Sequence, residues 1–189
     1  MAIAAPTKTD SGSSTAAKLL AAAMDEFNTH GFAGTDTNRI ARRAGFAPQT
    51  FYRWFKDKTE IFIDAYRAWW AEEESVLTPL MARGAPDAAL VEAGIAHHRR
   101  YLLFRRSLRQ LSLEDEAIRA ARAERRLHQV DQLRAWTHRP DAATDDLAVQ
   151  FFKLERLTDA VAEGELADMG LSEDAARAEL ARIIAAVRG

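Results

Sequence analysis

Residues 40–58, IARRAGFAPQTFYRWFKDK, decide how the rest of the chain is read. A helical run ends at Gly45, and Pro48 follows shortly after. Phe51, Tyr52, Trp54 and Phe55 then crowd together, with Arg53 among them and Lys56 and Lys58 just beyond. Two helices joined by a short turn containing glycine form a helix-turn-helix. Such a unit needs a small side chain where the helices cross, and Ala41 supplies it. Its turn needs a residue that tolerates positive φ, which is Gly45. Its second helix needs apolar anchors, and Phe51 and Phe55 lie one turn apart. Ile40 and Ala44 complete the inner face of the first helix. The side chains between the anchors then face outward. Gln49, Thr50 and Arg53 are of types that reach base edges: Gln pairs with adenine, Arg with guanine, and Thr bonds either way or meets a thymine methyl. Tyr52, the Trp54 indole N–H, and Lys58 at the positive end of the next helix suit phosphate oxygens.

Charge supports this reading. The chain as a whole carries a formal −2. Between Asp36 and Lys58, however, six cations face two anions, a local net of +4 that leaves residues 59–189 acidic. A cationic end on an otherwise acidic chain implies an anionic partner for that end. The rest of the composition is globular, and the absence of cysteine excludes disulfides and thiolate metal sites. No run approaches the ~20 apolar residues of a membrane helix. MAIAAPTKTDSGSS lacks the basic start and apolar centre of a signal peptide. The expectation is a cytoplasmic protein without a membrane partner.

Residues 1–14 are rich in small and polar types and are expected to be a disordered arm. A DNA-binding domain over 15–58 and a helical domain over 59–189 follow. The fold class is all-α, with about nine helices. Helix one is expected over 15–30, with Leu20, Ala23, Met24 and Phe27 as its buried stripe and Gly31 ending it. Helix two covers 37–44, capped by Thr35 or Asp36. Helix three starts at Pro48 and runs to Phe55. A long helix from Lys58 should kink or stop near Pro79. Further helices are expected over 87–104, 108–113 and 115–137, the last with a stripe through Ala123, Leu127, Val130 and Leu133 and broken by His138-Arg139-Pro140. Two more follow, one through Leu147–Val161 and one capped by Ser172.

Residues 17–62 also resemble the DNA-binding domain of the tetracycline-repressor-like (TetR) family. The matching pieces are EFNTHGF, then T-x-x-x-x-IA-x-x-AG, then TFYRWFKDKTEIF. The resemblance implies phosphate contacts from Thr35, Tyr52 and Lys58. It implies an inverted-repeat operator in double-stranded DNA, a homodimer, and a small-molecule effector bound in the second domain. The sequence departs from the family pattern at Thr37, where an aliphatic residue is usual. It departs again at Ala47, which lacks a capping side chain, and at Trp54, where a core role competes with a phosphate contact.

The second domain leaves more open. Tyr66, Trp69, Trp70, Tyr101, Phe104, Trp136 and Phe152 could line an apolar ligand pocket or be ordinary core. Phe151, Leu154, Leu157 and Val161 on one late helix, with Ala176, Leu180, Ile183 and Val187 on the last, could form a four-helix seam with a second copy. Adjacent His97 and His98 point too far apart to chelate one ion, and Glu72-Glu73-Glu74 reads as a solvated face. No catalytic triad, phosphate loop or metal spacing is present, so the expectation is neither an enzyme nor a cofactor protein. Two classes survive: a repressor released by an apolar or aromatic ligand, and a DNA-bound helical protein controlled by a protein partner.

Overall fold

A computed structural model describes residues 8–137 and 141–188, with side chains described from Ser14 onward. The described residues form ten helices and no strand: α1 (Lys8–His30), α2 (Thr37–Arg43), α3 (Pro48–Phe51), α4 (Lys58–Ala82), α5 (Asp87–Arg100), α6 (Leu102–Glu114), α7 (Glu116–Trp136), α8 (Thr144–Glu163), α9 (Glu165–Asp168) and α10 (Asp174–Arg188). The all-α expectation holds, with one helix more than foreseen.

Several boundaries differ for physical reasons. α1 begins at Lys8, so the described part of the expected 1–14 arm is helical. Extending an existing helix fixes one residue per new hydrogen bond and avoids the cost of nucleation. Pro79 lies inside α4 without ending it. The expected 87–104 helix stops at Arg100, because Tyr101 leaves helical geometry at φ −117° and ψ 36°. Asp115 caps α7 by accepting from the Ala117 and Ile118 amides. The Ser172 hydroxyl accepts from the Asp174 amide as expected. The break assigned to 138–140 lies outside the described residues.

The chain gathers into two compact units. Unit one runs to Trp69 and takes in Leu103–Leu111; unit two holds Trp70–Leu102 and the chain from Ser112 on. Unit one is built around Leu19, Ala23, Phe27, Ile40, Ala41, Phe51, Ile61, Phe62, Phe104 and Leu108, all fully buried. The α1 stripe is therefore Leu19, Ala22, Ala23, Glu26 and Phe27, one residue away from the expected Leu20 and Met24, and it contains a carboxylate. Phe62 is the aromatic hub, with Phe27 and Phe104 each 4.9 Å away and Phe32 at 5.2 Å. In unit two, α5, α8 and α10 pack together through Val91, Ile95, Val161, Ala176 and Leu180.

Candidate nucleic-acid interface

The reading unit is braced from beneath by one buried carboxylate. Glu26 is 4% exposed. It accepts from the Thr35 hydroxyl at 2.7 Å and from Arg43 at 3.0 Å, and the Arg39 guanidinium lies 3.3 Å away. His30 stands at 4.0 Å. Burial pushes the Glu26 carboxyl up, but the Thr35 and Arg43 hydrogen bonds, with the charges of Arg39 and His30, outweigh it and hold its pKa below the ordinary value. This single group ties α1 to α2. Sequence reading passed over it because a glutamate one residue before Phe27 reads as surface. Asp36 caps α2, its Oδ1 accepting from the Arg39 amide at 2.8 Å.

The turn and the anchors follow the sequence. Gly45 has φ +81°, where an L side chain is strained. Phe51 is fully buried and Phe55 nearly so. α3 is a single turn, Pro48–Phe51, and does not reach Phe55 as a regular helix. The backbone nonetheless stays coiled, with Trp54 and Phe55 amides both bonding the Phe51 carbonyl, at 2.9 and 3.0 Å. Ala47 offers no side-chain cap, while Pro48 at the helix start needs none.

This geometry turns a distinct set outward. Gln49 and Arg53 are exposed and Thr50 is half-buried. Tyr52 is 59% exposed and Trp54 41%, so Trp54 is not a core residue. Thr37, the apparent misfit at the start of α2, hydrogen-bonds the Tyr52 hydroxyl at 2.9 Å and pins that ring. Of the six cations counted in the segment, Arg39 and Arg43 pair with Glu26 and Lys58 turns inward. Arg42, Arg53 and Lys56 remain exposed, with no ion pair among the described residues.

Two expected phosphate contacts do not face outward. Thr35 is 4% exposed, and its hydroxyl proton goes to Glu26. Lys58 donates from Nζ to the carbonyls of Phe32, at 2.7 Å, and Thr35, at 2.9 Å, and lies 4.1 Å from the Phe32 ring centre. Burial draws the Lys58 pKa below its ordinary value, against an opposing pull from Asp36.

A glycine-turned, phenylalanine-anchored helix pair with these outward side chains has the geometry of a helix-turn-helix. Residues 19–65 match the profile of the bacterial regulatory proteins, tetR family. Residues 19–65 carry the DNA-binding domain that this profile describes. Solved structures show the same fold along nearly the whole length. A protein assigned as a TetR-family transcriptional regulator from Rhodococcus sp. superposes with a TM-score of 0.73 at 18% identity, covering 94% of this chain and 100% of that one. One from Mesorhizobium loti gives 0.61 at 22%, covering 97% and 96%. The fatty acid degradation regulator FadR from Bacillus halodurans gives 0.61 at 16%, covering 93% and 95%. No curated protein sequence matches this chain. The matched segment is a DNA-binding domain of bacterial regulatory proteins, and the rest of the chain shares the fold of the solved regulators. No helix among the described residues is long and apolar enough to cross a membrane.

The aromatic-rich region is less apolar than its sequence promised. The seven expected pocket residues are divided. Tyr66, Trp69 and Phe104 belong to unit one, where Phe104 is fully buried core against Phe62. Trp70, Tyr101, Trp136 and Phe152 belong to unit two, and each carries an arginine on its ring: Arg125 at 4.1 Å, Arg100 at 5.1 Å, Arg188 at 5.2 Å and Arg126 at 4.8 Å. Guanidinium stacking of this kind accounts for much of the aromatic excess. Unit two does contain a groove of about 280 Å³, lined by Ala142, Ala143, Asp146, Leu147, Gln150, Ala186 and Val187, and none of the seven lines it.

The expected dimer seam is also corrected. Val161, Ala176 and Leu180 are core, packed on Val91 and Ile95 of α5 in the same chain, with Leu154 and Leu157 against them. Ile183 and Val187 are buried as well. The expected α7 stripe holds at Val130, which is buried, and breaks at Ala123 and Leu127, which are exposed. Leu127 is 60% exposed, while Arg122 and Arg125 are buried. Arg122 bonds Ser112 at 2.8 Å and Glu155 at 3.1 Å, Arg126 bonds Glu155 at 2.6 Å, and Arg125 bonds Glu74 at 3.0 Å. Glu73 is not part of a solvated face. It lies 3.2 Å from His98 Nε2, and Asp159 lies 2.9 Å from Nδ1. Among the described residues no cluster is suited to a metal ion.

Proposed function

We propose that the protein is a homodimeric repressor that sits on an inverted-repeat operator and leaves it when a small molecule binds unit two. Gln49, Thr50 and Arg53 read bases, and Tyr52 and Trp54 hold phosphates. The observation that carries this reading is the outward set on a rigidly anchored α3: Gln49, Tyr52, Arg53 and Trp54 are exposed while Phe51 and Phe55, interleaved with them, are buried. A one-turn α3 is too short to specify a site alone, so two copies must read half-sites about one DNA turn apart or a multiple of it. Of the side chains expected at the pairing surface, half-buried Phe151 stays available, beside exposed Val149 and Phe152.

Effector control is supported by α4, which begins in unit one and continues unbroken into unit two. The effector is an apolar or aromatic small molecule, and Trp70 and Trp136 serve as built-in fluorescent reporters. Leu113, 81% exposed, and Leu127 favour the rival reading, in which a protein partner docks on unit two. The test begins with selection of the preferred duplex from a random pool, which should yield an inverted repeat. Ligand panels are then titrated calorimetrically into free protein and into the protein–duplex complex. Ligand affinity should fall on DNA by the factor by which ligand weakens DNA binding, a coupling of typically about 1–3 kcal/mol. Equal affinity in both titrations would exclude ligand-driven release and favour the docking reading.

A further inference from the structure

The α1–α2 turn of unit one is held from two sides. From α1, the Glu26 carboxylate accepts a hydrogen bond from the Thr35 hydroxyl. From α4, the Lys58 ammonium takes the Phe32 and Thr35 carbonyls and rests on the Phe32 ring. We propose that Thr35 and Lys58 are a clamp that fixes the α1–α2 turn to the first turn of α4, making both positioning residues for DNA binding. The inference rests on the reading of α3 as the DNA-reading element.

The donor count argues for it. The Thr35 hydroxyl has one proton, and Glu26 has it. Reaching a phosphate would require leaving a buried carboxylate short of a partner, which costs more than a neutral exposed bond returns. The ammonium has three protons, and two serve carbonyls that follow the end of α1. Lying in the turn, these carbonyls have no helical partner and need another donor. The links run in series, from Lys58 through the Thr35 carbonyl and hydroxyl to Glu26, and from Glu26 to Arg39 and Arg43 on α2. Whatever moves the start of α4 therefore pulls on α2, and through Thr37 and Tyr52 on the end of α3. The clamp is the local hinge of the reading head.

The experiment uses the full chain with Thr35→Val, Thr35→Ser, Lys58→Met and Lys58→Arg. Amide hydrogen exchange is read over residues 37–43 without DNA, and salt-dependent binding is read on a random-sequence duplex pool. Thr35→Val and Lys58→Met should speed α2 exchange about tenfold or more, and Thr35→Ser should restore it. On DNA, the valine and methionine variants should bind more weakly with the wild-type salt slope. Unchanged exchange together with a slope reduced by about 0.9 per variant would make these residues phosphate contacts and overturn the clamp. If the wild type failed to bind duplex, the reading of α3 would fall, while the DNA-free exchange would still decide the clamp. Should the valine or methionine variant not fold, Lys58→Arg decides: a clamp tolerates it with a measurable rise in exchange, and a phosphate contact shows none.

Discussion

Replacing Glu26 by glutamine keeps the side chain's shape and an acceptor for the Thr35 hydroxyl, but removes the charge that holds Arg39 and Arg43. The two arginine side chains are 44% and 42% exposed, so solvent screens both pairs. Each is then worth about 0.2–1 kcal/mol. Turning a charge-assisted Thr35 bond into a neutral one costs roughly 1 kcal/mol more. The expected loss is about 1–3 kcal/mol, read as a lower urea midpoint. DNA binding should move the other way. Two released arginines beside α3 can each neutralise a phosphate, so the salt slope on random-sequence duplex steepens by about 0.9–1.8 and low-salt affinity rises. Acid adds a further signature. The folded Glu26 pKa lies below its ordinary 4.5, so the native state binds fewer protons and this stabilisation is present above that value. It is lost as the pH falls through 4.5 and below, and the gap between wild type and Glu26→Gln should close there. An unchanged salt slope with unchanged stability would refute the bracing.

Arg53→Ala should cost about 1–3 kcal/mol on the selected duplex and flatten base preference at one position of each half-site, measured by competition among single-base variants of that duplex. Leu180→Ala should lower stability by about 2–5 kcal/mol in urea while leaving the sedimenting dimer intact, because Leu180 is core within one chain; a variant that sediments as a folded monomer would return it to the subunit interface. Glu155→Gln strands two arginines and should cost about 3–5 kcal/mol in equilibrium unfolding, whereas pairing Glu155→Leu with Arg122→Met should recover much of the loss.

What the sequence displayed was local. Ile40, Ala41, Gly45, Phe51 and Phe55 lie in one stretch, and each is needed for the same packing problem, so their spacing carries the fold of the head. The interactions it concealed are distant in sequence. Lys58 bonds carbonyls 26 and 23 positions earlier. His98 meets Glu73 and Asp159 across 25 and 61 positions. No periodicity records such pairs. α7 misled for a different reason: apolar spacing assumes the inner face is apolar, and here arginine stems fill it while their heads find carboxylates. The α1 stripe was displaced by one residue because a buried glutamate is invisible to a hydrophobic count. The aromatics of the expected pocket were counted without the arginines that lie on Trp70, Tyr101, Trp136 and Phe152.

Unit one is not written in one continuous piece. Phe104 and Leu108 reach its core from Leu103–Leu111, Ser107 accepts from the Phe32 amide at 3.2 Å, and Asn28 accepts from the Phe104 amide at 3.4 Å. A ribosome delivers α1 to α3 well before that segment. The nascent head must therefore wait, its Phe27–Phe62 cluster lacking one wall, until α6 has also been made. Nor is the head portable: a chimera that grafts residues 15–58 onto another effector domain inherits the DNA-reading side chains but not the wall behind them. Recombination that preserves the reading head has to carry two separated stretches of the gene together.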